Sequence, residues 1–134
     1  MKTKLALTLL LPVILSGLLA CSPGAPKELS VDITSSDKEV TLAAGDTLTV
    51  TLDSNPTTGY SWTENANISD RIIAQQIDHK YQPPGTSALG AGGKEIWTFK
   101  ALKAGTSTIS MEYRRPFETG VAPAKTFTLT LAVK

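Results

Sequence analysis

From Glu28 onward the chain alternates apolar and polar residues in short runs, the period of strands with one buried and one wet face. Leu29, Val31 and Ile33 alternate with Ser30, Asp32 and Thr34, and Val40 and Leu42 follow. After an Ala44-Gly45-Asp46 turn, Leu48, Val50 and Leu52 share one face, with Thr47, Thr49 and Thr51 on the other. The alternation resumes at Tyr60-Ser61-Trp62-Thr63, and a further short run spans Ile72 to Ile77. Lys94 to Leu102 holds Ile96, Trp97 and Phe99; a Lys103-Ala104-Gly105 turn then leads into Thr106 to Arg114, where Ile109, Met111 and Tyr113 share a face. Thr126 to Val133 closes the chain with Phe127, Leu129, Leu131 and Val133 together. No segment sustains a helical period, although Ser69 to Gln76 has room for a turn. Seven or so short strands separated by turn residues predict an all-β, immunoglobulin-like antiparallel β-sandwich. Trp62 and Trp97 are the largest apolar groups available to its core.

Three loops interrupt this pattern. Ser54-Asn55-Pro56-Thr57-Thr58-Gly59-Tyr60 is short and stiff: Pro56 fixes its own φ and biases Asn55 toward an extended backbone, while Gly59 is free to take a positive φ. Such a loop holds Thr57 and Thr58 out at its tip. The stretch Asp78 to Gly93 reads as a long loop containing Tyr81-Gln82-Pro83-Pro84-Gly85 and then Gly90-Ala91-Gly92-Gly93, where missing side chains let another backbone come close. Between the last two strands lies Arg114-Arg115-Pro116-Phe117-Glu118-Thr119-Gly120, an aromatic set among charges. Alternate connections of a sandwich emerge at the same end, so the three are expected to form one wedge-shaped edge.

The first twenty residues follow a different rule. Lys2 and Lys4 precede the apolar run Leu5 to Leu15, and Leu18-Leu19-Ala20-Cys21 ends it. This resembles a bacterial lipoprotein signal, in which the Cys is acylated and becomes the mature N-terminus. The expected division is therefore 1–20 signal peptide, 21–27 lipidated Cys21 and tether, and 28–134 immunoglobulin-like domain. The resemblance implies a protein lipid-anchored in the cell envelope and, with Ser22 rather than Asp after the Cys, in a Gram-negative cell at the outer membrane. Removing residues 1–20 takes two of the thirteen basic residues and leaves eleven against twelve acids, a net charge of −1. With no basic stripe, nucleic acid is not an expected partner. No Cys remains after Cys21, so the core rests on packing alone.

In their order along the chain, the three loops resemble those of the chagasin-like inhibitors of papain-family cysteine proteases. That family carries an Asn-Pro-Thr-Thr-Gly-Tyr/Phe loop with a Trp two residues on, a Gly-x-Gly-Gly loop and an Arg-Pro-Trp-Glu loop. Here Asn55, Pro56, Thr57, Thr58, Gly59 and Tyr60 with Trp62 match the first, and Gly90, Ala91, Gly92 and Gly93 the second. Arg115, Pro116 and Glu118 match the third, with Phe117 in place of Trp. The resemblance implies reversible, tight-binding inhibition by a monomer without cofactor. The 55–60 loop would enter the protease cleft, and the 90–93 and 115–118 loops would flank it.

Two other readings compete. The single His, His79, is expected on an exposed loop, and no nucleophile-elbow pattern accompanies it, which argues against a hydrolase. One His and no thiol after Cys21 also argue against a zinc site. The stronger rival is a membrane-anchored immunoglobulin-like module that binds an envelope protein or peptide without inhibiting any protease.

Overall fold

The computed structural model describes residues 24–134, so the expected signal segment and Cys21 lie outside the described residues. Nine strands follow: β1 (Glu28–Val31), β2 (Lys38–Leu42), β3 (Thr47–Ser54), β4 (Ser61–Trp62), β5 (Asn67–Ile68), β6 (Ala74–Gln82), β7 (Gly93–Ala101), β8 (Gly105–Arg114) and β9 (Lys125–Val133). One sheet has the order β1-β3-β7-β6; the other has β2-β9-β8-β4, with β5 also on β8. Their inner faces meet as the alternation requires. Leu48, Val50 and Leu52 of β3 and Trp97 and Phe99 of β7 pack against Ile109 and Met111 of β8 and Phe127, Leu129 and Leu131 of β9, all fully buried.

The immunoglobulin-like sandwich expected from the sequence is thus formed, with two parallel pairings among the antiparallel ones. β1 lies parallel to β3, with Glu28 opposite Thr47 and Val31 opposite Val50, and β2 lies parallel to β9. The first run is shorter than its alternation implied. After Val31 the chain leaves the first sheet through a single 3-10 turn at Ile33–Ser35, capped by the Asp32 side chain accepting from the Thr34 N–H, and joins the second sheet as β2. One continuous polar-apolar run therefore serves two sheets, and both short strands cover edges that would otherwise be open.

A second departure concerns residues 78–82, expected as the start of a long loop. They belong to β6, which pairs with β7 from Ala74–Ala101 to Gln82–Lys94 and carries an irregularity between Gln76 and Asp78. The extra residue at the bulge breaks the two-residue period, and period was the only signal available for this polar edge strand. His79 consequently sits in a strand rather than an exposed loop. Its side chain is largely covered, its ring lies 4.9 Å from that of Trp97, and its Nε2 is 2.9 Å from Glu95 Oε2.

Candidate functional site

Strand register brings the three loops to one pole. β3 runs antiparallel to β7 with Ser54 opposite Gly93, so the loop leaving β3 starts where the glycine loop ends. β4 runs antiparallel to β8 with Ser61 opposite Arg114, so the same loop returns where the arginine loop begins. The central loop is therefore flanked on each side by one of the other two.

The central loop is held by its own short bonds. Pro56–Thr58 makes one 3-10 turn, with Thr58 N–H donating to Asn55 O at 3.1 Å and Gly59 N–H to Pro56 O at 2.9 Å. Gly59 ends the turn at φ 81°, a left-handed conformation that an L side chain resists. A Cβ there would also come within 3.2 Å of the Phe117 ring. The Thr57 hydroxyl bonds Asn55 Oδ1 at 2.5 Å and the Thr58 hydroxyl bonds Asn55 O at 2.6 Å, so both tip side chains are fixed while exposed.

Hydrogen bonds also tie the flanks to the tip. Asn55 Nδ2 donates to Gly90 O at 2.9 Å, and Arg115 Nε donates to Thr58 O at 3.1 Å. Arg115 does three jobs at once: its guanidinium lies 4.5 Å from the Tyr60 ring centroid, and its Nη1 bonds Glu118 Oε1 at 3.0 Å. The hydrogen bond to Glu118, aided by that carboxylate's charge, raises the Arg115 pKa above its ordinary value. Arg114 instead pairs with Glu112 on β8, and of the two arginines it is Arg115 that hydrogen-bonds the tip loop. Behind the tip, the Tyr113 hydroxyl accepts from Asn55 N–H at 3.0 Å, and its ring stacks on Tyr60 at 5.4 Å and lies 5.1 Å from Trp62. Gly93 must be glycine, because a Cβ there would lie 2.2 Å from Gln82 O.

All fourteen sequence-selected residues, Asn55 to Tyr60, Gly90 to Gly93 and Arg115 to Glu118, thus gather on one rim. Phe117 is 72 % exposed rather than tucked into the core. Sequence reasoning passed over Leu89, which stands fully exposed beside Gly90, and Tyr113, which supports the loop from below. An apolar residue immediately before the glycine run was the available signal for Leu89; Tyr113 reads as an ordinary strand residue. Ser54, Glu95 and His79 also meet, but the carboxylate stands between the hydroxyl and the imidazole, so the order differs from that of a Ser-His-acid triad, in which the imidazole meets the serine.

Residues 41–131 match the sequence model of the chagasin family peptidase inhibitors, I42. The chain belongs to this family. It is a peptidase inhibitor by descent and not an enzyme. It is similar to chagasin of Trypanosoma cruzi, 32 % identical over 94 residues that make up 69 % of this chain and 86 % of that protein. Its fold is similar to the crystal structure of the cysteine protease inhibitor EhICP2 from Entamoeba histolytica, with TM-score 0.68 at 22 % identity over 84 % of this chain and 100 % of that one. It is likewise similar in fold to PbICP-C, solved in complex with falcipain-2, with TM-score 0.59 at 20 % identity over 81 % of this chain and 99 % of that one.

Proposed function

We propose that this chagasin-family protein is a reversible, tight-binding inhibitor of papain-like cysteine proteases that inserts the Asn55–Tyr60 loop into the active-site cleft. Gly90 to Gly93 and Arg115 to Glu118 straddle the cleft on either side. The observation that carries this reading is the pair of bonds from the flanks to the tip, Asn55 Nδ2 to Gly90 O and Arg115 Nε to Thr58 O. A tip braced from both sides loses little conformational freedom on docking and keeps most of its contact energy. Thr57 and Thr58 are narrow enough for a protease cleft, and their bonds to Asn55 hold the backbone in a tight turn rather than in the extended form a protease cleaves. Titration of papain against a fluorogenic peptide tests this. Activity is expected to fall to zero near one equivalent with the inhibitor uncleaved, and full activity at large excess overturns the reading.

We further propose that Cys21 carries lipid and that the protein is anchored in the cell envelope, at the outer membrane. The path of the chain supports this. Lys27 N–H bonds Asp46 and Glu28 pairs with Thr47, so the chain enters at the opposite end of β3 from Ser54 and the inhibitory rim. An anchor there leaves the three loops facing outward. Metabolic incorporation of labelled palmitate, lost in Cys21→Ser, is the expected result; equal labelling of the two forms overturns it.

A further inference from the structure

The inward-facing positions of β7 are Gly93, Glu95, Trp97, Phe99 and Ala101. Four of these suit a core and Glu95 does not, yet it is only 4 % exposed. A buried carboxylate persists only where its lone pairs are satisfied. Oε1 accepts from the Ser54 hydroxyl at 2.6 Å and from the Trp62 backbone N–H at 3.1 Å, and Oε2 lies 2.9 Å from His79 Nε2. Ser54 is the last residue of β3 and Trp62 lies in β4, so everything between them is the tip loop and its first β4 residue. One oxygen atom therefore bonds both stems of the loop. The Trp62 indole N–H, donating to Asp53 O at 3.0 Å, closes the same base a second time.

We propose that Glu95 is a positioning residue for the inhibitory tip. By drawing the two stems onto one oxygen, with the other oxygen held by His79 of β6, whose ring packs on Trp97, it sets the angle at which Thr57 and Thr58 leave the sandwich. It touches no protease itself. This role rests on the inhibitor reading for its effect on affinity, but the bracing of the loop is measurable without any protease.

The test compares Glu95→Gln with Glu95→Ala. The amide oxygen of Gln can still accept from both stems, whereas Ala leaves the Ser54 hydroxyl and the buried Trp62 N–H without their acceptor. For papain, the inhibition constant is expected to stay within about threefold in Glu95→Gln and to rise about tenfold or more in Glu95→Ala. Amide hydrogen exchange at Thr58, Gly59 and Trp62 should quicken in Glu95→Ala while Phe99 and Leu129 keep their protection. A folded Glu95→Ala with wild-type inhibition and exchange overturns the proposal. Faster exchange spread equally over the core also overturns it, since that is general destabilisation. If Glu95→Ala does not fold, Ser54→Ala, which deletes one hydroxyl, should show the same local exchange pattern in milder form, and unchanged exchange overturns the proposal. If the wild-type protein leaves papain active, the inhibitor reading fails, and the exchange measurements alone decide the role of Glu95.

Discussion

Arg115 shows how much one side chain can organise at the rim. Its planar guanidinium stacks on Tyr60, bonds Glu118 and reaches the carbonyl of Thr58, a combination that an ammonium group cannot reproduce. Arg115→Lys should therefore weaken inhibition by about tenfold, the equivalent of about 1.4 kcal/mol, with little change in melting temperature. Parallel thermal melts and papain titrations separate the two effects. The threonines are expected to matter more. Thr57→Ala with Thr58→Ala removes both tip hydroxyls and the bonds they make to Asn55, and a loss of at least about 2 kcal/mol, or thirtyfold in the inhibition constant, should follow in the same assay. Phe117 is exposed and free to contact a partner, so Phe117→Trp, which adds ring area and an indole N–H, should leave affinity equal or improve it. A large loss would mean that this loop docks differently.

At the scale of elements, the turn before β3 acts as a clasp. Asp46 accepts from the Lys27 N–H and the Ala43 N–H, both at 2.9 Å, which joins the start of β1 to the turn that launches β3. These bonds hold its carboxyl below the usual carboxylate range, and the Thr34 hydroxyl and N–H do the same for Asp32. Because the folded pKa is depressed, the stabilisation is complete above the unfolded value of about 3.9 and is lost as pH falls through the lower folded value. Denaturant melts should show stability dropping from about pH 4 downward. In Asp46→Asn the stability at pH 7 should be lower and the acid slope shallower, with Asp32 supplying part of what remains. An unchanged slope would place the acid sensitivity elsewhere. Elements also show where the sequence was legible. β3, β8 and β9 alternate strictly and were read almost to the residue, whereas β6 was read only as far as Ile77, its second half being polar, on an edge and beyond a bulge.

For the molecule as a whole, the core carries the site by holding two sheets in fixed register without a disulfide. Trp97 is fully buried on a central strand, its indole N–H donating to Glu64 O at 3.0 Å. Trp97→Ala should cost about 3–5 kcal/mol of unfolding free energy, measured by urea titration, through the cavity it opens. A cost below about 1 kcal/mol would show that the sandwich repacks around the gap. The same architecture separates the chain's entry, beside Asp46, from the rim, because β3 runs the length of the first sheet between them.

The sequence by itself determined the all-β class and most of the strands, the composition of the three loops and the family they belong to, because alternation and turn chemistry are local and survive without coordinates. Only the tertiary structure decided that Asn55 and Arg115 lock the tip from opposite sides, that His79 is a core-lining partner instead of a surface residue, and that Glu95 faces inward. Those facts depend on pairings between residues 16 to 57 positions apart, as from His79 to Glu95 and from Thr58 to Arg115. No local period encodes such pairings; register between strands creates them.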